Sequence, residues 1–241
     1  MQGVFITGTN TEVGKTYIGV LLAKQLTQKN IIVVPRKPIE SGCVKQGNEL
    51  IPNDASALMK ATNYEGSLSE ICPYRFEHAT SPVRAARLAN KTLTTDQLVN
   101  SCLQGSEKGF VLVEGCGGFY SPLSENGLNA DLAVALQLPI LLVANDTLGC
   151  LNQVFLNVEA IKTRGLNLAG LVLNSMSDHK DKNIDNAADL RESLDCPIYS
   201  QKYSPVYSRS FNNDAELPDK LIEHLISKQA GGNVTQLLFN K

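Results

Sequence analysis

The sequence is short of features that mark several whole classes of protein. It has no surplus of positive charge: 22 Lys and Arg against 24 Asp and Glu give a formal net charge of -2 and a pI near 6.0. No run of like charges stands out either. Proteins that bind nucleic acid or anionic membranes usually gather basic residues, so the expected partners are small molecules, with no nucleic acid and no membrane. No apolar stretch is long enough to span a bilayer. Nothing at the start resembles a secretory leader, because Met1 runs almost directly into the apolar Val4-Phe5-Ile6, and a cytoplasmic location is expected. The cysteines Cys43, Cys72, Cys102, Cys116, Cys150 and Cys196 form no CxxC pair, nor the histidine-bracketed spacing that structural zinc demands. They are expected to be reduced thiols. Cys116 and Cys150 sit beside glycines in loops of functional interest, but no histidine lies near either in sequence, which favours small neutral filler over a nucleophile. Internal repeats and low-complexity linkers are absent too.

What is present is an alternation of short apolar runs with longer amphipathic ones. Of the 241 residues, 43% are hydrophobic, enough to bury a large core. The pattern is that of βα units laid into a parallel sheet. Strands are expected at Gly3 to Thr7, Ile31 to Pro35, Phe110 to Glu114, Pro139 to Ala144 and Leu168 to Leu173. Each is short and rich in Val, Ile or Leu, as strands buried on both faces must be. Helices are expected at Thr16 to Lys29, Thr95 to Lys108, Asn129 to Gln137 and Leu151 to Arg164, the last stopped by Gly165. The expected architecture is therefore α/β: a single-domain, doubly wound, mostly parallel sheet with helices on both faces, over residues 1–230. A loosely attached tail is expected over 231–241, after Gly231-Gly232, and its Asn233-Val-Thr235 reads as a chance sequon.

In such sheets ligands bind beyond the carboxyl ends of the strands. The first strand runs into Gly8-Thr9-Asn10-Thr11-Glu12-Val13-Gly14-Lys15-Thr16 and then a helix. Strand, glycine-rich loop, Gly-Lys-Thr and helix make the context of a P-loop. Phosphates need inward N–H groups, a helix N-terminus, a lysine for the outer oxygens and a hydroxyl for magnesium, and Gly14, Lys15 and Thr16 supply these. Five residues rather than the usual four separate Gly8 from Gly14. A bound triphosphate also needs an acidic residue for the metal, and Phe110-Val-Leu-Val-Glu114 ends an apolar strand in a carboxylate, followed by glycines that let backbone approach a ligand. Asp54 is a second candidate, equally suited by spacing to be the N-cap of a helix starting near Ala55.

Seven blocks in order carry a resemblance: residues 8–16, Arg36-Lys-Pro-Ile-Glu-Ser-Gly42, Asn53-Asp54, Thr80-Ser81-Pro82 with Ala85-Ala86, Val113-Glu114-Gly-Cys-Gly-Gly118, Leu148-Gly149-Cys150-Leu151-Asn152 and Leu173-Asn174. Together they resemble the dethiobiotin synthetase family, whose P-loop also has the five-residue spacing. The resemblance implies a magnesium- and ATP-dependent ligase of the P-loop NTPase type. Such a ligase closes a cyclic urea from 7,8-diaminononanoate and CO2 in biotin synthesis, as a homodimer with its site at the subunit interface. It implies catalytic roles for Lys37, Lys15 and Thr11. Contact with ATP is implied for Glu12, Val13, Gly14, Lys15, Thr16, Tyr17, Asp54, Glu114, Gly115, Cys116, Gly117, Asn174 and Ser175, with Asn174 at the adenine. Ser41, Thr11 and Asn152 would meet the substrate, Asn152 from the neighbouring subunit, and Thr16, Asp54 and Glu114 would hold Mg2+. After Asn174 the match weakens: where the family often closes over the base with a Gly-x-x-Pro-like stretch, this chain offers Tyr203 to Pro205.

Two other classes share the fold. ATPase switches that partition plasmids or place division sites usually carry an extra lysine five positions before the P-loop lysine, where this chain has Asn10. Amide-forming ligases of cobalamin synthesis normally add a glutaminase domain, for which this chain has no room.

Overall fold

The architecture follows from strands that must be apolar on both sides. In the computed structural model, which describes residues 1–178, 183–204 and 215–227, the chain enters as β1 (Gly3–Gly8), turns through the P-loop and continues as α1 (Lys15–Gln28) and β2 (Val33–Arg36). A run of small elements follows: β3 (Ile39–Ser41), the hairpin of β4 (Val44–Gln46) and β5 (Glu49–Ile51), α2 (Asn53–Thr62), α3 (Leu68–Ile71), β6 (Tyr74–Phe76), α4 (Pro82–Leu88) and α5 (Thr95–Leu103). The chain then returns to the sheet with β7 (Phe110–Gly118). Next come β8 (Pro122–Ser124), β9 (Gly127–Leu128), α6 (Asn129–Leu136), β10 (Ile140–Asn145), α7 (Cys150–Thr163), β11 (Leu168–Asn174), α8 (Asn186–Ser193), β12 (Ile198–Gln201) and α9 (Asp219–Ser227).

Six strands make the central sheet in the order β12-β11-β10-β1-β7-β2, and every neighbouring pair is parallel. Successive side chains of a strand point to opposite faces, so β1 sends Phe5 into one core and Val4 and Ile6 into the other. β7 does the same with Val111 and Val113 against Leu112. α1 and α9 cover one face, α6 and α7 the other. All five expected strands form, and the sheet is doubly wound as expected.

Several details differ from the sequence reading: β7 runs on to Gly118, and helices α3, α4, α8 and α9 were not foreseen. The helix expected over Thr95 to Lys108 stops at Leu103: Gly105 turns the chain with φ 69° before a single 3-10 turn at Ser106–Lys108, and the Arg36 guanidinium donates to the carbonyl of Gln104 at that break. The second strand begins at Val33 rather than Ile31, because Ile31 N–H still closes the end of α1 on Leu26 O at 3.0 Å. The short strands β3 to β6, β8 and β9 went unseen, being two or three residues long. The stop at Gly165 does form, with φ 69°. The tail expected over 231–241, and Pro205 of the base-covering stretch, lie outside the described residues.

Candidate active site

The carboxyl ends of β1, β2 and β7 are adjacent in the sheet, so the loops after them share one space. There a cleft of about 620 Å3 is lined by Thr11, Glu12, Gly14, Lys15, Thr16, Tyr17, Lys37, Ser41, Asp54, Glu114, Cys116 and Gly117, all singled out from sequence. Glu40, Asn145 and Met176 join them and were not foreseen as site residues. Asn145 is the last residue of a buried strand, a position that the rule about strand ends could have flagged.

The P-loop is shaped by its backbone. Gly14 takes φ 93° as the N-cap of α1 and no side chain caps that end, so the first N–H groups of the helix are left for a ligand. Glu12 also adopts a left-handed conformation, φ 59°, which costs a residue with a Cβ about 1–2 kcal/mol and is the kind of strain functional loops store. The Lys15 ammonium lies back over the loop, donating to Asn10 O at 2.9 Å. Burial, reinforced by the neighbouring Lys37, lowers its pKa below the ordinary lysine value.

Lys37 is the centre of the charged cluster. It is 2% exposed, and its Nζ lies 2.6 Å from Glu114 Oε1, 3.1 Å from Asp54 Oδ2 and 3.1 Å from Gly115 O. Burial opposes its charge, yet the Glu114 and Asp54 carboxylates outweigh that and raise its pKa well above the ordinary value. Thr16 Oγ1 donates to the same Glu114 Oε1 at 2.8 Å. For Asp54 burial again works against ionisation, and Lys37 with the Thr16 hydroxyl reverses the balance, lowering its pKa. The two readings of Asp54 are thereby separated. It is not an N-cap: α2 starts at Asn53 with Pro52 in the capping position, and the Asp54 carboxylate faces Lys37. The cap comes from Glu40, whose two oxygens accept from Asp54 N and Ala55 N at 3.0 and 3.1 Å. Burial, with Asp54 beside it, pushes Glu40 up to about 7.

Thr16, Asp54 and Glu114 form a set of hard oxygens suited to Mg2+. Glu114 is 1% exposed; its Oε1 meets Thr16 and Lys37, while its Oε2 lies beneath α1 beside Gly19 with no hydrogen-bond partner among the described residues. Among the described residues no three His, Cys, Asp or Glu converge as a closed metal cage.

The remaining expected residues fall around the cleft. Thr11 N–H donates to Asn10 Oδ1 at 2.8 Å and Ser41 Oγ to Thr80 O at 2.7 Å. Gly115 must be glycine because a Cβ there would come within 2.6 Å of the Asn129 amide. Val13 packs into the core beneath the loop. Asn174 is fully buried off the cleft wall, its Nδ2 donating to Val13 O at 3.0 Å, and Ser175 N–H donates to Gln201 O at 2.9 Å. Asn152 is exposed in the first turn of α7 and is not part of this cleft wall. Tyr203, which is exposed, does not line it either. No described cysteine is in a disulfide. Burial raises the Cys116 thiol despite the lysines nearby, as expected of filler rather than of a nucleophile.

The family described as an AAA domain matches residues 2–200. The ATP-dependent dethiobiotin synthetase BioD of Ruthia magnifica subsp. Calyptogena magnifica is 36% identical over 209 residues, covering 87% of this chain and 96% of that one. Its namesake from Vesicomyosocius okutanii subsp. Calyptogena okutanii (strain HA) is 42% identical over 177 residues, 73% of this chain and 80% of the other. Among solved structures, the MinC:MinD cell division protein complex of Aquifex aeolicus aligns over 97% of each chain with a TM-score of 0.56 at 11% identity, a likeness of fold alone.

Proposed function

The chain belongs to the ATP-dependent dethiobiotin synthetase family, and from that premise we propose that it closes the ureido ring of dethiobiotin from 7,8-diaminononanoate and CO2, using Mg-ATP, in the cytoplasm. One amine adds to CO2 with loss of a proton, giving a carbamate. A carbamate oxygen takes the γ-phosphoryl group as the bond to ADP breaks, and the second amine then attacks the carbonyl carbon, closing the ring and expelling phosphate and a proton.

The observation that carries this reading is a second buried lysine in the nucleotide cleft. A P-loop that only hydrolysed ATP would need Lys15; bringing an anionic carbamate up to an anionic triphosphate needs further positive charge, held in place before the reaction. Lys37 is held in place by Glu114 and Asp54, and in this reading its charge turns to the carbamate when those two carboxylates take up Mg2+. In this reading Lys15 holds the outer phosphates, while Lys37 neutralises the carbamate and the transferring group. Ser41 and Thr11 orient the diamine or its carbamate. Thr16, Asp54 and Glu114 hold Mg2+, which when bound neutralises phosphate charge. Asn174 and Ser175 do not line the cleft themselves but precede Met176, which does, and in this reading adenine binds on that side.

A homodimer completes the reading. On α7, Asn152 shares a face with Phe155 and Leu156, three and four residues on, and with Leu148 just before the helix. Leu148, Leu156 and Phe155 are 82%, 58% and 39% exposed, an apolar surface that supports burial against a second copy. Asn152 at a helix N-terminus is a sensible receptor for the substrate carboxylate of the partner's site.

The test is phosphate release with diaminononanoate, bicarbonate and Mg-ATP, leaving out one component at a time. Release should depend on all of them. Unchanged release without the diamine overturns the proposal.

A further inference from the structure

Helix α2 starts without a cap of its own. Its capping position is held by Pro52, which has no side-chain acceptor, so the N–H groups of its first turn need an oxygen from elsewhere. Glu40 supplies it from β3 with both carboxylate oxygens, at 3.0 Å from Asp54 N and 3.1 Å from Ala55 N. A carboxyl group accepting two N–H bonds at a helix N-terminus satisfies both donors, most strongly in its charged form. The contact is also an expensive one, because Glu40 is 5% exposed and a buried carboxylate gives up its hydration. A Ser at position 52 could cap α2 with no buried charge.

What the buried route adds is a closed ring of contacts. Glu40 follows Lys37 by three residues on one short segment. The Asp54 carboxylate lies 3.1 Å from Lys37 Nζ, while the Asp54 backbone is held by Glu40. Asp54 is thus fixed at both its backbone and its side chain by the segment that bears the second lysine. A cap at position 52 would hold α2 together but would not tie Asp54 to Lys37. We propose that Glu40 is a positioning residue, which sets Asp54 against Lys37 and the magnesium site by holding the start of α2.

This inference rests on the reading of Asp54 as a metal-side carboxylate, and the experiment separates the two. Binding of a non-hydrolysable ATP analogue is measured by calorimetry as Mg2+ is titrated, and again in EDTA, so that no turnover is required. The proteins are the unaltered chain, Glu40→Ala, Glu40→Gln, Asp54→Ala and the Glu40→Ala/Asp54→Ala double variant. Outer partners of metal-holding side chains are typically worth roughly 10–100-fold in metal affinity, so Glu40→Ala should raise the half-saturating Mg2+ about tenfold. Metal-free nucleotide binding should stay within about twofold, and Glu40→Gln, which keeps one acceptor oxygen, should shift less. Groups that act through one another are not additive: once Asp54→Ala is present, Glu40→Ala should add less than about twofold. Should Glu40→Ala not fold, Glu40→Gln is read in its place. An unshifted midpoint in folded Glu40 variants, with Asp54→Ala shifted, overturns the role of Glu40 alone; so do effects that multiply independently in the double variant. An unshifted midpoint in Asp54→Ala overturns the metal-site reading and this inference with it.

Discussion

Lys15 and Lys37 bring the same charge into one cleft but are held in opposite ways. Lys15 rests on a neutral carbonyl of its own loop and its pKa is lowered, first by burial; Lys37 is held between carboxylates and its pKa is raised. Replacing either by Ala should lower turnover by about 10²-fold or more, the usual effect of losing one preorganised charge at a reacting group. Lys15→Ala should also weaken nucleotide binding in calorimetry, whereas Lys37→Ala should leave it nearly intact. Lys37→Ala strands the buried Glu114 without its counter-cation, a change that typically costs roughly 3–5 kcal/mol and should show as a lower Tm. Small and equal effects of the two substitutions on turnover and Tm would remove Lys37 from the machinery. The buried thiols carry a pH signature. Burial raises Cys102 from 9.0 to about 12 and Cys43 to about 11, so the folded state keeps these protons when the unfolded chain has lost them. The stability they contribute is complete below pH 9 and is lost as pH rises towards the folded values, at about 1.4 kcal/mol per pH unit for each thiol. Thermal melts should therefore fall above pH 9, and fall less steeply in Cys102→Ala. Parallel lines for the two proteins would contradict that assignment.

At the scale of elements, an amide on α1 ties down the segment that leads into α9. Gln25, buried within α1, donates Nε2 to Leu217 O and accepts Leu217 N–H at Oε1, both at 2.9 Å. Leu217, Leu221, Ile222 and Leu225 then pack into the core on that face of the sheet. Gln25→Ala leaves a buried N–H and a buried C=O without partners, each worth about 1–3 kcal/mol, and should lower Tm and speed hydrogen exchange in α9. The neighbouring Lys29–Asp219 pair at 3.1 Å is solvent-exposed and should matter little. If Lys29→Ala destabilises as much as Gln25→Ala, the amide is not the fastening. The same logic of a long-range polar tie recurs at the P-loop, where the Asn174 amide holds Val13 O from the end of β11.

For the whole molecule, the decisive question is whether one chain makes a complete site. The cleft gathers the P-loop, Lys37, Asp54 and Glu114 from a single chain, while Asn152 stands on the exposed face of α7, away from that cleft wall. A shared site makes a distinctive prediction. When Lys37→Ala and Asn152→Ala subunits are mixed and allowed to exchange, one site of each heterodimer carries both defects and the other carries neither. Activity should rise above that of either variant alone. Exchange confirmed by mass spectrometry without recovery of activity would end the proposal that Asn152 serves the neighbouring subunit.

The sequence by itself determined the parts whose signals are local. Five short Val-, Ile- and Leu-rich runs had to be strands buried on both faces. Gly14-Lys15-Thr16 between a strand and a helix had to be a P-loop, and Gly165 had to stop its helix. Each is decided within a few residues by period, backbone freedom or capping. Only the tertiary structure decided what depended on distant partners. Spacing alone left Asp54 poised between helix cap and site carboxylate, and the choice was made by Glu40, 14 residues earlier in sequence, which took over the cap. The raised pKa of Lys37 depends on Glu114, 77 residues away. The tie on the segment that leads into α9 depends on a glutamine 192 residues from its partner. Such contacts leave no local trace because either end, taken alone, is an ordinary polar residue. What makes them specific is the burial that brings the two ends together and removes water as an alternative partner.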